Sequence, residues 1–254
     1  MNREMEFRVL GKLEVMARGR RIKIPRGNQR SLLASLVLNA NKDVPVDDLV
    51  EYLWCERTPR RPRSALHTCV TRLRNTFDAY GVSLCDTLHT TSVGYMLEAD
   101  PASVDLLRFR AFIVKAEAAA DQGDTMSEFT WLAKALSQWR GPALLDVQSD
   151  LLHRDLVPRL TEECGNALER RFEIAISLGR HGDVVGELRT LTHRHRFREG
   201  FWRLLMTALY RSGRQAEALE AYGEISAQLN DELGIDPSHE LQDLRMTILR
   251  NETV

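Results

Sequence analysis

The strongest constraint on this chain is a change of hydrophobic period near Glu98–Ser103, "EADPAS". Before it, apolar residues alternate in some stretches and fall at helical spacing in others. From Asp105 onward nearly every window carries the 3.6-residue period, and no strand pattern survives. Side chains two apart share a strand face, and those three or four apart share a helix face. The first part is therefore expected to be α+β and the second all-α, with domains at 1–99 and 100–254 and a mainly α chain overall. Charge divides at the same place. Residues 1–97 carry 16 Lys+Arg against 10 Asp+Glu, and the remainder carries 19 against 26. Polyanions are drawn to the first part and repelled by the second.

In "MEFRVLGKLEVM", Phe7, Val9, Leu13 and Val15 recur at strand spacing, and Ile22 and Ile24 repeat the habit in "RRIKIP". Three short antiparallel strands are expected. "GNQRSLLASLVLNA" then places Leu32, Leu33, Leu36 and Val37 on one helical face. "VPVDDLVEYLW" opens a second helix with Leu49, Val50, Leu53 and Trp54 inward and an Asp at or near its N-cap. A third helix lies within "RTPRRPRSALHTCVTRLRNTF", and "VSLCDTLHTTSVGYMLEA" reads as a hairpin around a polar turn. Strands, three helices and a hairpin suggest a winged helix-turn-helix with a small sheet in front.

The third helix carries the most chemistry. Leu66, Val70, Leu73 and Phe77 form a narrow apolar stripe that must pack on a core. On the opposite side lie Ser64, Thr68, Thr71 and Asn75, flanked by His67 and Arg72, with no carboxylate among them. A solvated helix more often carries Glu/Lys pairs one turn apart. A helix that enters a major groove needs donors, small hydroxyls and no negative charge facing phosphate. Arg57, Arg60, Arg61 and Arg63 surround prolines at the helix entrance, with Pro62 in the first turn. Their charge opposes the helix dipole there, a cost that an arriving polyanion offsets. The competing reading is a solvated basic loop.

Other stretches are less specific. "LHTTSVG", with Thr90, Thr91 and Ser92, reads either as a wing tip that touches DNA or as a plain hairpin turn. "ARGRRIKIPRGNQR" reads as charge studding a sheet edge, and "HRHR" (His193 to Arg196) as a solvated helix end, with a metal or anion patch as the alternative. "ISLGRHGDVVGEL" aligns with "ALYRSGRQAEALEAY" when Gly182 is placed on Gly213, an offset of 31 that suggests tetratricopeptide-like repeats. An ordinary helical bundle is the alternative. Cys55, Cys69, Cys85 and Cys164 show no C-x-x-C spacing and are expected to be free thiols. No phosphate-loop, zinc-protease or nucleophile-elbow motif occurs. Neither an enzyme, a metal site, a cofactor nor a membrane segment is expected. A cytoplasmic, nucleoid-associated location is.

The chain resembles the Streptomyces antibiotic regulatory protein family, in its small single-polypeptide form. "VPVDDLVEYLW" followed by "SALHTCVTRLRNTF" is similar to the family's positioning and recognition helices, and "VGYMLEA" to a wing's return strand. "LSQWRGPALLDV" and "LNDELGIDPSHELQDL" resemble hallmark stretches of its bacterial transcriptional activator domain. The resemblance implies an OmpR-type winged helix-turn-helix followed by a tetratricopeptide-like activator domain. It implies a pathway-specific activator of a secondary-metabolite (antibiotic) gene cluster, with protomers side by side on direct repeats of promoter DNA near the −35 region. RNA polymerase holoenzyme, through its sigma factor and core subunits, is the implied partner. Neither an ATPase module nor a phospho-acceptor receiver is expected. Carried onto this sequence, the recognition helix is Arg63–Phe77. The expected DNA-contacting residues are Arg60, Arg61, Arg63, Ser64, His67, Thr68, Thr71, Arg72, Asn75, Thr90, Thr91 and Ser92. Arg74 lies off the outward face. His67 and Cys69 stand where relatives often have Gln and an aromatic residue. A protein-interaction scaffold with an accessory nucleic-acid-binding domain is the alternative function.

Overall fold

The computed structural model describes residues 5–252. They form two compact units. One runs to Asp124 and resumes over Thr130–Gly165, and the other joins Thr125–Phe129 to the chain from Asn166 onward. The architecture is mainly helical.

The first unit begins with an antiparallel meander of β1 (Met5–Arg8), β2 (Glu14–Ala17) and β3 (Arg20–Ile22). The alternation seen in the sequence buries Met5, Phe7, Val15, Ala17 and Ile22. The β2–β3 turn is two residues long, and Arg18 and Gly19 both hold positive φ (48° and 74°). That geometry matches the strand twist in tight hairpins. Helix α1 (Asn28–Leu38) buries Leu32, Leu33, Leu36 and Val37 completely. Strand β4 (Val44–Pro45) leads into α2 (Val46–Trp54), and α3 (Pro62–Asp78) follows a 3-10 turn at Cys55–Arg57. Hairpin strands β5 (Leu88–Thr90) and β6 (Gly94–Leu97) form a second sheet with β4, in the order β4-β6-β5. Gly94 is obligatory there: a Cβ would lie 2.0 Å from the Val44 carbonyl oxygen.

The aspartates expected at or near the N-cap of α2 lie just inside it. The cap residue is Pro45, with no side-chain cap, and the aspartates sit inside the first turn. The register of β4 against the hairpin sets this start, because the Val46 amide donates to the Val93 carbonyl at 3.1 Å. Asp47 and Asp48 still meet the positive end of the helix dipole.

Past residue 100 the unit continues with α4 (Asp105–Asp121), part of α5 (Thr125–Leu136), α6 (Asp150–Asp155) and the start of α7 (Val157–Ser177). The buried Asp105 carboxylate accepts the Val9 and Leu10 amides at 2.9 Å, and burial raises its pKa despite those donors. The helical reading fails between α5 and α6, where residues 137–149 form an irregular strap. Its backbone groups are satisfied by the N-terminal sheet and the helices behind it. The Arg140, Leu144 and Leu145 amides donate to the Leu10, Val9 and Gly11 carbonyls. The Leu13 amide donates to Asp146, the Ser31 hydroxyl to the Gln148 carbonyl and the Ser149 hydroxyl to the Tyr52 carbonyl. The buried Arg30 of α1 donates to Asp146 and to the Leu13 and Ile24 carbonyls. The strap thus holds α1 and α2, the helices behind α3.

The second unit takes the rest of α7, then α8 (His181–Arg194), α9 (Glu199–Arg211), α10 (Gln215–Leu233) and α11 (His239–Leu249). Its core gathers Phe172, Phe201, Trp202, Leu205, Leu209, Ile225, Leu241 and Ile248. The repeat offset of 31 needs correction. Gly182 lies inside α8, and the left-handed turn residue is Gly179 (φ 78°), matched by Gly213 (φ 75°). Both turns close identically. The Gly179 amide donates to Ile176 and the Arg180 amide to Ala175, as the Gly213 amide does to Tyr210 and the Arg214 amide to Leu209. This is the Schellman closure, which favours glycine at the left-handed position. The turns are therefore 34 residues apart, the tetratricopeptide period. His195 of the "HRHR" stretch is half-buried against Phe201, its pKa lowered by burial and by Arg194 and Arg198.

Candidate nucleic-acid interface

Helix α3 starts at Pro62, whose missing amide hydrogen costs nothing in a first turn. Leu66, Val70, Leu73 and Phe77 are at most 1% exposed, so the apolar stripe is fully inserted. Cys69 extends it, and burial pushes its thiol up to about 11, which keeps it a packing group. Ser64, His67, Thr68, Thr71, Arg72 and Asn75 are all exposed on the other side. Arg60, Arg61 and Arg63 are exposed at the entrance. Among the described residues none of these arginines, nor Arg57 or Arg72, makes an ion pair. Asp47 and Glu51 share with Arg61, Arg63 and Ser64 the lining of a hollow of about 480 Å³, yet neither pairs with them.

The threonines carry a geometric detail the sequence did not show. Thr68 donates its hydroxyl hydrogen to the Ser64 carbonyl at 2.9 Å, and Thr71 donates to His67 at 3.0 Å. Each therefore presents an acceptor oxygen and a methyl outward, and no free donor. Arg74 is turned inward: its guanidinium donates to the Leu88 carbonyl at 2.7 Å and ties α3 to β5. At the hairpin tip Thr90 and Ser92 are exposed, and Thr91 is half-buried. Thr91 holds the turn itself, accepting the Gly94 amide at 3.2 Å on its hydroxyl.

Two residues join this face that the sequence reading left at a sheet edge. Arg26 and Gln29 line a groove of about 450 Å³ together with Thr68, Arg72 and Trp54. The Gln29 side-chain amide lies 3.0 Å from the Thr76 hydroxyl, which also reaches the Arg72 carbonyl at 2.9 Å, and this contact holds the start of α1 against α3. Their signal was the basic "RGNQR" run. Its closeness to α3 is a tertiary fact.

Residues 104–249 match the model of the bacterial transcriptional activator domain. The chain is 34% identical over 251 residues to the regulatory protein DnrI of Streptomyces peucetius, covering 97% of this chain and 92% of that one. The chain belongs to the Streptomyces antibiotic regulatory protein family. Within that family the regulatory protein AfsR of Streptomyces coelicolor is 36% identical over 247 residues, 97% of this chain and 24% of AfsR. The transcriptional regulatory protein EmbR of Mycobacterium tuberculosis is 34% identical over 252 residues, 99% of this chain. The chain spans 65% of EmbR's length. A solved structure of EmbR in complex with a low affinity phosphopeptide superposes with a TM-score of 0.90 at 34% identity, over 99% of this chain and 66% of that one. These relatives of the family member described here are regulatory proteins. Among the described residues no helix is long and apolar enough to cross a membrane, and no group of three metal-ligating side chains occurs.

Proposed function

We propose that this family member is a sequence-specific DNA-binding transcriptional activator, pathway-specific for a secondary-metabolite gene cluster. The observation that carries the reading is the outer face of α3 and its entrance: exposed Arg60, Arg61, Arg63 and Arg72 with no carboxylate partner among the described residues, backed by a fully buried stripe. In this reading residues 1–99 are an OmpR-type winged helix-turn-helix, with α3 in the major groove and the β5–β6 hairpin as the wing. Residues 100–254 are the tetratricopeptide-like activator domain. Arg60, Arg61 and Arg63 grip phosphates. Arg72, Asn75, Ser64 and His67 reach donors toward bases or backbone. Thr68 and Thr71, their hydrogens already used, accept from exocyclic amines or touch a thymine methyl. Thr90 and Ser92 contact the backbone at the wing, and Thr91 shapes the turn.

Protomers sit side by side on direct repeats near the −35 region of a promoter and recruit RNA polymerase holoenzyme through its sigma factor and core subunits. The protein works in the cytoplasm, associated with the nucleoid. The test is binding to duplex promoter DNA as a function of salt, with footprinting in the presence and absence of RNA polymerase. Several phosphate contacts make log K fall steeply with log salt, by about 0.9 per contact. A flat salt response would remove the reading.

A further inference from the structure

The activator-domain half contains a basic cluster that DNA contact does not use. After residue 97 the chain has two lysines, Lys115 and Lys134, among 26 acidic residues. Both ammonium groups lie over the same ring, at 4.6 Å and 4.2 Å from the centroid of Trp131. Phe112 stacks on that indole, with centroids 5.8 Å apart and planes inclined by 22°. The pattern is doubled: Phe112 and Lys115 stand three apart on α4, as Trp131 and Lys134 do on α5. Among the described residues neither lysine has a carboxylate partner.

This arrangement is unusual on an acidic surface. Two like charges on one aromatic ring repel each other, and carboxylates are plentiful in the surrounding sequence. Each ammonium directs one N–H toward the ring and keeps others free to donate. Ala111 and Ala118 lie one turn to either side of Lys115 and are exposed and small, which leaves the approach open. The surface is thus an aromatic shelf topped by two cations that have no carboxylate partner among the described residues.

We infer that this shelf docks an acidic protein segment, one whose carboxylates bridge Lys115 and Lys134 above the Trp131 ring. The charge on the shelf, opposite in sign to its surroundings, selects that segment and turns away basic ones.

The test uses the full chain and a fluorescein-labelled synthetic peptide of Asp and Glu residues, titrated by anisotropy at low salt. Saturable binding is expected, weakened about tenfold or more in the double variant Lys115→Gln/Lys134→Gln. Trp131→Leu should weaken it too, while Arg60→Gln/Arg61→Gln leaves it unchanged. The lysines are exposed, so the double variant should keep its melting profile and its affinity for duplex DNA. Absence of saturable binding to the wild-type chain would overturn the inference. So would equal binding by the lysine variant, or loss of binding only in the arginine variant, which places the peptide on the basic face of α3. A lower melting temperature in the lysine variant, with no peptide affinity in the wild type, means that the two cations serve the aromatic pair alone.

Discussion

The arginines at the entrance of α3 and five arginines of the second unit are the same residue type in opposite surroundings. In the second unit Arg170 pairs with Glu128, Arg171 with Glu187, Arg189 with Glu217, Arg198 with Glu169 and Arg203 with Glu173. Arg60, Arg61, Arg63 and Arg72 have no such partner among the described residues, although Asp47 and Glu51 stand in the same hollow as Arg61 and Arg63. Where arginine serves the fold, the chain supplies its own carboxylate. Where it does not, the guanidiniums stay open to an anion from outside. Composition alone cannot make that distinction, because 19 of the 35 basic residues lie in the half with the acidic excess.

The largest effect tests the platform on which the open arginines stand. Leu73 has no exposure, and its replacement by Ala empties the core beneath the outer face of α3. A stability loss of about 2–5 kcal/mol is expected in chemical denaturation. A protein as stable as the wild type would mean that α3 presents a different face. Next comes the face itself. Thr71→Ala with Arg72→Ala should weaken specific DNA binding by about 1–3 kcal/mol per lost base contact, with an unchanged melting profile. Unaltered footprints would take α3 out of the reading role. Replacing Arg60, Arg61 and Arg63 together by Gln should act differently, weakening binding to all sequences alike. It should also flatten the salt slope by roughly one per phosphate contact removed. Loss of sequence preference instead would move these residues from grip to readout.

What could be read from the sequence here is what is local. The Leu66/Val70/Leu73/Phe77 stripe needs only helical geometry, and its burial agrees residue by residue. The strand alternation at Phe7 and Val15 is local in the same sense. Arg26 and Gln29 were misplaced because their nearness to Arg72 depends on how the start of α1 meets α3. The 137–149 strap departs from the helical period that nearly every window after Asp105 carries. Its Gly-Pro pair was the available signal, and Gly141 (φ 147°) and Leu144 (φ 55°) leave the helical region there. The repeat offset slipped by three residues because two glycines, Gly179 and Gly182, compete for one turn. Hydrophobic period alone does not say which is left-handed. The donors of Thr68 and Thr71 were over-counted for a related reason: a wheel shows direction, not the hydrogen bond a hydroxyl has already made.

The smallest effect lies on the paired side of the comparison and is diagnostic for that reason. Arg171 reaches Glu187 on the neighbouring helix, and its guanidinium covers the Phe172 ring at 4.8 Å. Glu187 is about half exposed, so the ion pair is screened and contributes little. Arg171→Gln keeps a polar chain over the ring, removes the charge and leaves Glu187 in water. The expected cost is below about 1 kcal/mol of stability, read as a shift of a degree or two at most in melting. Affinity for duplex DNA should not change, and neither should its salt slope. An arginine lost from the α3 entrance should do the reverse, leaving melting alone and moving the slope. If Arg171→Gln also lowered the slope, the second unit's arginines would be contributing to the phosphate grip through their pairs. The division between arginines that serve the fold and arginines left open would then fail, since an intramolecular carboxylate would no longer mark which role a residue has.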